Sequence, residues 1–253
     1  MRFLGLLAVL ITGALLIYAA DDFPDWGDPT APASAYRVSR HYITQTHIET
    51  GVPNLVTAVL ADYRGYDTLF ETVVIFTAGI AILAILRVFP RKGDTLLPGF
   101  TPDAREEPDI ILVTTSRILV PIIQLFALYV IAHGHHSPGG GFQGGVIFAA
   151  SLVLLALTQN LKTSLALVSE RRAITIACAG VAVYGGIGLS CMLLGSNFLD
   201  YSVLHRVLPG LTEIESRYHS MLGVEIGVAL TVTAIMFSIY ANLSSKGKLH
   251  DGM

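Results

Sequence analysis

Apolar residues come along this chain in long blocks separated by short polar stretches. Six blocks, at 3–20, 68–89, 110–132, 142–161, 173–195 and 219–241, have the length that crosses a bilayer as a helix. A helix also satisfies every backbone N–H and C=O internally, as hydrocarbon requires. The pattern therefore predicts an all-α, polytopic transmembrane helix bundle with six spans. Residues 21–53 open with DDFPDWGDPTAPAS and are rich in Pro, Asp and Ser; Pro24, Pro29 and Pro32 argue for an irregular segment rather than a helix. Part of 54–66 reads as a short interfacial helix. Residues 90–109, PRKGDTLLPGFTPDAREEPD, read as a linker between two modules, and 196–218 as a mixed loop. The expected organisation is thus a two-span module at 1–89 (with 21–66 as its outer segment), the linker, a four-span domain at 110–241 and a tail at 242–253.

Composition agrees with lipid as the solvent. The chain is 53% hydrophobic and 14% charged, with a mean hydropathy of +0.62, against about 25% charged residues in a soluble domain. A net charge of −3 argues against a nucleic-acid partner. The basic residues choose an orientation. With the N-terminus in the cytoplasm, ten of the 16 lysines and arginines fall inside, five fall outside and Arg117 lies within a span. Both termini are therefore expected to be cytoplasmic. The first block lacks a small residue at the first position of an A-x-A site, so an uncleaved anchor is preferred over a signal peptide. Cys178 and Cys191, on one helix, would sit roughly 20 Å apart and could not bridge each other.

The stretch HGHHSPGGGFQGG, residues 133–145, is the least expected piece of the chain. It reads as a tight outer turn: Gly134 ends one helix in a left-handed conformation, Ser137 caps the next and Pro138 occupies its first turn. Gly139-x-Gly141-x-x-Gly144 matches a dinucleotide fingerprint by letter, but no strand precedes it, so that reading is set aside. Gly141, Gly145 and Ala149 are four apart and form a small-residue face; Cys178, Ala182, Gly186 and Ser190 form another. Such faces suit close packing on each other or on a partner subunit. His133, His135 and His136 have no adjacent acid or cysteine, so a metal is not expected. They are candidates for a proton relay or for hydrogen bonds at the interface.

Charges inside the predicted spans carry the remaining chemistry. Glu225, in MLGVEIGVALTVTAIMF, has only Met221, Leu222, Val228 and Ala229 as helical neighbours. A buried carboxylate without a partner is costly, so Glu225 either handles protons or ions or makes a structural hydrogen bond to another helix. His219, further towards the start of that span, joins the candidates for an ion or proton path. In ADYRGYDTLFE, Asp67 and Glu71 share a helix face, and with Asp62 they also suit the positive end of a helix. Arg117 either snorkels or pairs with an acid. With Pro121 freeing its carbonyl and Gln124 on nearly the same face, it forms a polar stripe suited to helix contact or to transport.

DIILVTTSRILVPIIQLFALYVIAHGHHSPGGGFQGGVIFAASLVLLAL and HSMLGVEIGVALTVTAIM resemble the B subunit of Mrp-type multisubunit sodium/proton antiporters, the MnhB domain, over roughly 110–241. Upstream, NLVTAVLADYRGYDTLFETVVIFTAGIAILAI resembles the C-terminal segment of the antiporter A subunit, which is a separate small subunit in membrane-bound hydrogenases. Asp62, Arg64, Gly65, Asp67 and Glu71 stand on its DxRGxDTxxE pattern. The resemblance implies a fusion of the two pieces. It implies a non-catalytic membrane subunit, in a bacterial or archaeal cell membrane, of a complex that couples cation and proton movements. The implied partners are the other subunits of an antiporter or hydrogenase-like complex, and lipid. Large antiporter-like subunits carry lysine and glutamate on broken helices. No lysine lies in a predicted span here, so transport by this chain alone is not expected, and no catalytic residue or cofactor is expected either. Two alternatives stand beside this reading: a purely structural scaffold, and the membrane arm of a hydrogenase-like, ion-pumping oxidoreductase. In the latter the redox centre would belong to a partner, because two dispersed cysteines cannot hold a cluster.

Overall fold

A computed structural model describes residues 2–31, 37–88 and 109–245. Its helices are α1 (Arg2–Ala20), α2 (Arg37–Thr50), α3 (Leu55–Ala58), α4 (Gly65–Val88), α5 (Ile110–Ala132), α6 (Gly141–Thr158), α7 (Leu161–Leu167), α8 (Glu170–Leu193) and α9 (Glu213–Ser244). A π-helical turn spans Val59–Tyr63 and a 3-10 turn spans Tyr201–Arg206. The described residues contain no strand. Six helices, α1, α4, α5, α6, α8 and α9, are long and apolar enough to cross a membrane, so the protein is an all-α, multi-pass membrane protein.

The chain divides into two compact units, 1–45 and 46–253. In the first, α1 buries none of its span and leads into turns over 21–31, where Asp28 accepts from the Thr30 amide at 2.8 Å. In the second, α9 is the central helix: 61% of its span is buried, against 17–44% for α4, α5, α6 and α8. It packs against α8, α6 and α4, while α5 packs mainly on α6. The segments 46–88 and 109–245 thus form one packed unit.

Small residues set these distances. A Cβ at Gly180 on α8 would stand 2.4 Å from the Gly227 carbonyl oxygen and 2.3 Å from Thr231 Oγ1, so α8 and α9 touch backbone to backbone there. Thr231 Oγ1 also lies 3.2 Å from the Ala177 carbonyl across the same contact. The expected face of Gly141, Gly145 and Ala149 packs on α9: a Cβ at Gly145 would lie 3.0 Å from the Ala229 carbonyl. The expected strip on α8 behaves differently. Cys178, Ala182 and Gly186 are exposed and Ser190 is half-buried, and the face of α8 that packs carries Ala173, Ala177, Gly180, Tyr184, Gly188 and Cys191.

Two buried tyrosines fasten the irregular chain before α4. Tyr184 Oη donates to the Gly65 carbonyl at 2.8 Å and Tyr201 Oη to the Ala61 carbonyl at 2.9 Å. The π turn displaces the regular backbone ladder here, and buried carbonyls need donors from elsewhere.

Several expectations need correction. The segment 21–53 is not irregular throughout, because α2 occupies Arg37–Thr50; the prolines that argue against a helix lie N-terminal to it, and a proline disfavours helix only around itself. The helix expected in 54–66 is split into α3 and the π turn. The fourth span stops at Thr158, and the extra helix α7 follows, capped by Asn160, which accepts from the Thr163 amide at 2.7 Å. The last span begins at Glu213 rather than 219, closed by a capping box between Thr212 and Glu215. The linker expected at 90–109, except Asp109, and the tail beyond 245 lie outside the described residues.

The packing of α8 generates a paired prediction. Gly180→Ala should lower the thermal midpoint of the assembled protein, through overpacking on the order of 1–3 kcal/mol. Gly186→Ala, with nothing within 4 Å of the added Cβ, should leave the midpoint unchanged or slightly raised by the better helix propensity of alanine. Equal losses in the two variants, measured by thermal denaturation, would contradict this assignment of faces.

Candidate functional site

Glu225 is 9% exposed and lies a little over three turns into α9. Its carboxyl group lies where α6 begins. Gly140, the N-cap of α6, has φ +128° and ψ −173°, a region that essentially only glycine occupies. A Cβ there would stand 2.9 Å from Glu225 Oε1, and a Cβ at Gly141 would stand 2.0 Å from the Glu225 carbonyl oxygen. The two glycines therefore let the start of α6 close onto the acid, and the positive end of the α6 dipole faces it. This corrects the expected turn. Helix α6 starts at Gly141, capped by Gly140 rather than by Ser137, and the left-handed glycine of the loop is Gly140 rather than Gly134. Ser137 Oγ instead points back towards the His133 carbonyl, at 3.4 Å.

The loop between α5 and α6 covers the acid with His135, which is 1% exposed. His135 Nε2 lies 4.0 Å from Glu225 Oε2, too far for a hydrogen bond. Among the described residues neither atom has a hydrogen-bond partner. Burial, with His136 and His219 adding to it, pushes His135 down to about 4, so the imidazole is neutral near pH 7. Its ring meets Tyr218 edge-on with centroids 4.4 Å apart. Tyr218 Oη lies 3.2 Å from His136 Nε2, His136 sits beside His133 with centroids 5.4 Å apart, and His219 contacts the Tyr218 ring. Three of the histidines thus surround Tyr218, and His133 adjoins them through His136.

On its other side Glu225 lines a cavity of about 490 Å³. Glu71 lines the same cavity, with Thr68, Thr72 and Gln143 among the polar neighbours and Val224, Val228, Leu60 and Ile75 among the apolar ones. That volume has room for several waters. Glu225 and Glu71, one from each sequence module, therefore line one partly polar cavity, Glu225 buried and Glu71 exposed. Thr68 and Thr72 have their hydroxyls engaged, donating to the carbonyls of Leu60 at 2.9 Å and Thr68 at 2.7 Å.

The remaining candidates lie elsewhere. Asp62 forms a two-pronged pair with Arg217, with Nε–Oδ2 at 2.7 Å and the second contact at 3.0 Å. Arg217 also donates to the Glu49 carbonyl at 3.1 Å. Asp67 pairs with Arg64 at 2.6 Å, in the open. Arg117 is exposed and Gln124 half-buried on α5, and neither lines the cavity. Sequence reasoning did not single out Asn54, Thr57, Gln143 or Tyr218. Gln143 stood in the quoted glycine stretch as a polar residue at a helix start, and that signal was readable; the long-range contacts of the other three were not. No group of three or more His, Cys, Asp or Glu residues suited to a metal occurs among the described residues.

Comparison with known proteins places this geometry. Residues 111–238 match the family model described as a domain related to the MnhB subunit of Na+/H+ antiporter. The chain belongs to the MnhB family. Residues 30–99 match a second model, MbhE, described as the E subunit of MBH. The B subunit of the Na(+)/H(+) antiporter from Bacillus subtilis (strain 168) is 33% identical over 138 residues, which are 54% of this chain and 94% of that protein. Among solved structures, a chain of an archaeal respiratory membrane complex, the membrane-bound sulfane sulfur reductase, is similar with a TM-score of 0.63 and 27% identity, covering 93% of this chain and 97% of that one. A chain of the Mrp complex from Dietzia sp. DQ12-45-1b is similar with a TM-score of 0.66 and 26% identity; the match covers 96% of this MnhB-family protein and 26% of that longer chain.

The low titration of His135 has a pH consequence. The unfolded imidazole takes up its proton near 6.5, whereas the folded one, faced by Glu225, Tyr218, His136 and His219, resists until about 4. The unfolded state therefore binds more protons between these values, and this contribution to stability is complete above 6.5 and lost as pH falls towards 4. Thermal midpoints measured from pH 7 to 4.5 should fall less steeply in His135→Gln than in the parent, by a margin on the order of 1–3 kcal/mol at the acid end. Parallel pH curves would contradict it.

Proposed function

We propose that this protein is a non-catalytic membrane subunit of a multisubunit cation/proton antiporter complex, and that the cavity between Glu225 and Glu71 is a segment of its proton path. The carrying observation is the buried carboxyl of Glu225, whose Oε2 has no hydrogen-bond partner among the described residues, set between a neutral imidazole at 4.0 Å and a cavity lined by a second acid. A carboxyl in a membrane span costs several kcal/mol if ionised without compensation. Here the α6 dipole and water in the cavity offset part of that cost, so the group can cycle between its two protonation states. His136, Tyr218 and His135 extend the chain of exchangeable groups from the exposed loop to the acid. Asp62, held by Arg217, serves structure instead. Asp67, Arg117 and Gln124 are kept as secondary candidates, on surfaces where partner subunits or lipid would meet them.

We read residues 1–89 and 110–241 as two modules joined by 90–109, both termini as cytoplasmic, and the partners as the other subunits of the complex in a cell membrane. A second reading has its own support. The match to a chain of the sulfane sulfur reductase complex runs nearly end to end in both proteins, which favours the membrane arm of a redox-linked ion pump. The same cavity would serve there, with the redox centre on a partner.

Two measurements test these readings. In the assembled complex, Glu225→Gln should preserve assembly, because the amide fits the same space, and should lower sodium-dependent proton exchange by roughly 10²-fold or more; normal exchange would leave the scaffold reading standing. Cysteines engineered at positions 30 and 250 should label from outside at 30 only, in sealed right-side-out cells. Labelling at 250 would overturn the orientation.

A further inference from the structure

We propose that Asn54 is a positioning residue that holds His135 over Glu225, so that the MbhE-like segment sets the geometry of the acid in the MnhB domain. The inference rests on reading Glu225 as an acid of the proton path. The loop from His133 to Gly140 contains three glycines and would be loose on its own. Its internal bonds, from the amides of His136 and Ser137 to the His133 carbonyl at 3.0 and 3.1 Å and from the Gly140 amide to the Val130 carbonyl at 3.1 Å, close a turn. None of them ties that turn down over α9.

Besides the His136–Tyr218 contact to α9 at 3.2 Å, Asn54 supplies the tie. Its Nδ2 donates to the Gly134 carbonyl at 2.7 Å and to the Ser137 carbonyl at 2.8 Å, and its backbone amide donates to the His135 carbonyl at 3.0 Å. Thr57 Oγ1 adds a second donor to the Gly134 carbonyl at 2.7 Å. The carbonyls of His135, of the residue before it and of Ser137 are thus engaged by one turn of chain. That turn is itself fixed, because Asn54 Oδ1 caps α3 by accepting from the Val56 amide at 3.1 Å. A side chain that used only its cap oxygen would be ordinary at a helix start. Here the amide end of the same side chain reaches 80 and 83 residues along the sequence, to the two carbonyls that bracket the histidine.

The test compares assembled complexes carrying Asn54→Asp and Thr57→Val. Aspartate keeps the shape and the cap oxygen but sets a second acceptor against two carbonyls, so both loop bonds are lost. Hydrogen exchange of the amides in 133–140 should speed up at least roughly tenfold, and sodium-dependent proton exchange should fall roughly tenfold to a hundredfold, as for a misplaced reacting group. The acid limb of the rate–pH profile should also move upward, towards 6.5, as His135 gains solvent. The titratable groups facing it are Glu225 and Tyr218 from α9, His219 beyond Tyr218, and His136 in its own loop. A merely structural role would lower the rate equally at every pH. Unchanged loop protection in Asn54→Asp overturns the proposal, as does a loosened loop with unchanged rate and profile. If Asn54→Asp does not assemble, Thr57→Val removes one of the three side-chain bonds at constant shape and should give the same signs at smaller size; no change in loop protection there overturns the proposal too. Normal exchange in Glu225→Gln would instead remove the acid from the path while leaving the Asn54-dependent loop protection as measured, so the two failures are distinguishable.

Discussion

Placing a carboxyl group inside a membrane span demands compensation, because hydrocarbon offers neither water nor donors. Much of the second unit can be understood from how it meets that demand at Glu225. The beginning of α6 is brought against the acid, which requires glycine at 140 and 141. The loop that leads into α6 must then pass over the acid, and it places a buried histidine there. On the remaining side the bundle leaves a cavity rather than closing. A leucine at 225 would need neither the cavity nor the buried imidazole, whereas Gly141, set against the backbone of residue 225, would still be required.

The compensation is also incomplete. Two buried polar atoms, one on His135 and one on Glu225, face each other without a hydrogen bond among the described residues. In a purely structural contact such a gap is a plain loss, since an unsatisfied buried group forfeits on the order of 1–3 kcal/mol. A group that must exchange protons has the opposite requirement: a site that satisfied both atoms fully would hold its proton too firmly to pass on. Under the proposed reading, the 4.0 Å separation suits a contact that is made and broken.

Much of this is legible in the chain itself. The spans stood out because an unbroken apolar block of about 20 residues is rare outside a bilayer. Glu225 stood out because its helical neighbours are all apolar. What could not be read was convergence. Glu71 and Glu225 are 154 positions apart, and no local pattern says that α4 and α9 are neighbours. The same holds for Asn54, whose place after Pro53 and before an apolar run marks a helix cap but not the carbonyls of Gly134 and Ser137. The two small-residue faces show the limit in another way. Spacing of four identified both, yet only Gly141, Gly145 and Ala149 meet a helix of this unit, while the strip on α8 has the same spacing and an open face. Spacing identifies a surface that permits close approach; it does not identify the partner.

The bond from Asn54 to the loop joins the segment matched by the MbhE model to the domain matched by the MnhB model. In this chain the two are covalently continuous, so the clamp forms as the protein folds. A polypeptide that consisted of residues 111–238 alone would lack Asn54, and its histidine loop would have to find that donor on another subunit. Completion of the pocket around Glu225 would then wait for assembly, and an orphan subunit would sit in the membrane with its histidine loop unclamped. Such a dependence would protect the membrane: a path that is assembled only inside the finished complex cannot dissipate the ion gradient while its parts await one another. Fusion of the two pieces removes that waiting step, and under the proposed reading any guard against premature leakage would lie outside this clamp.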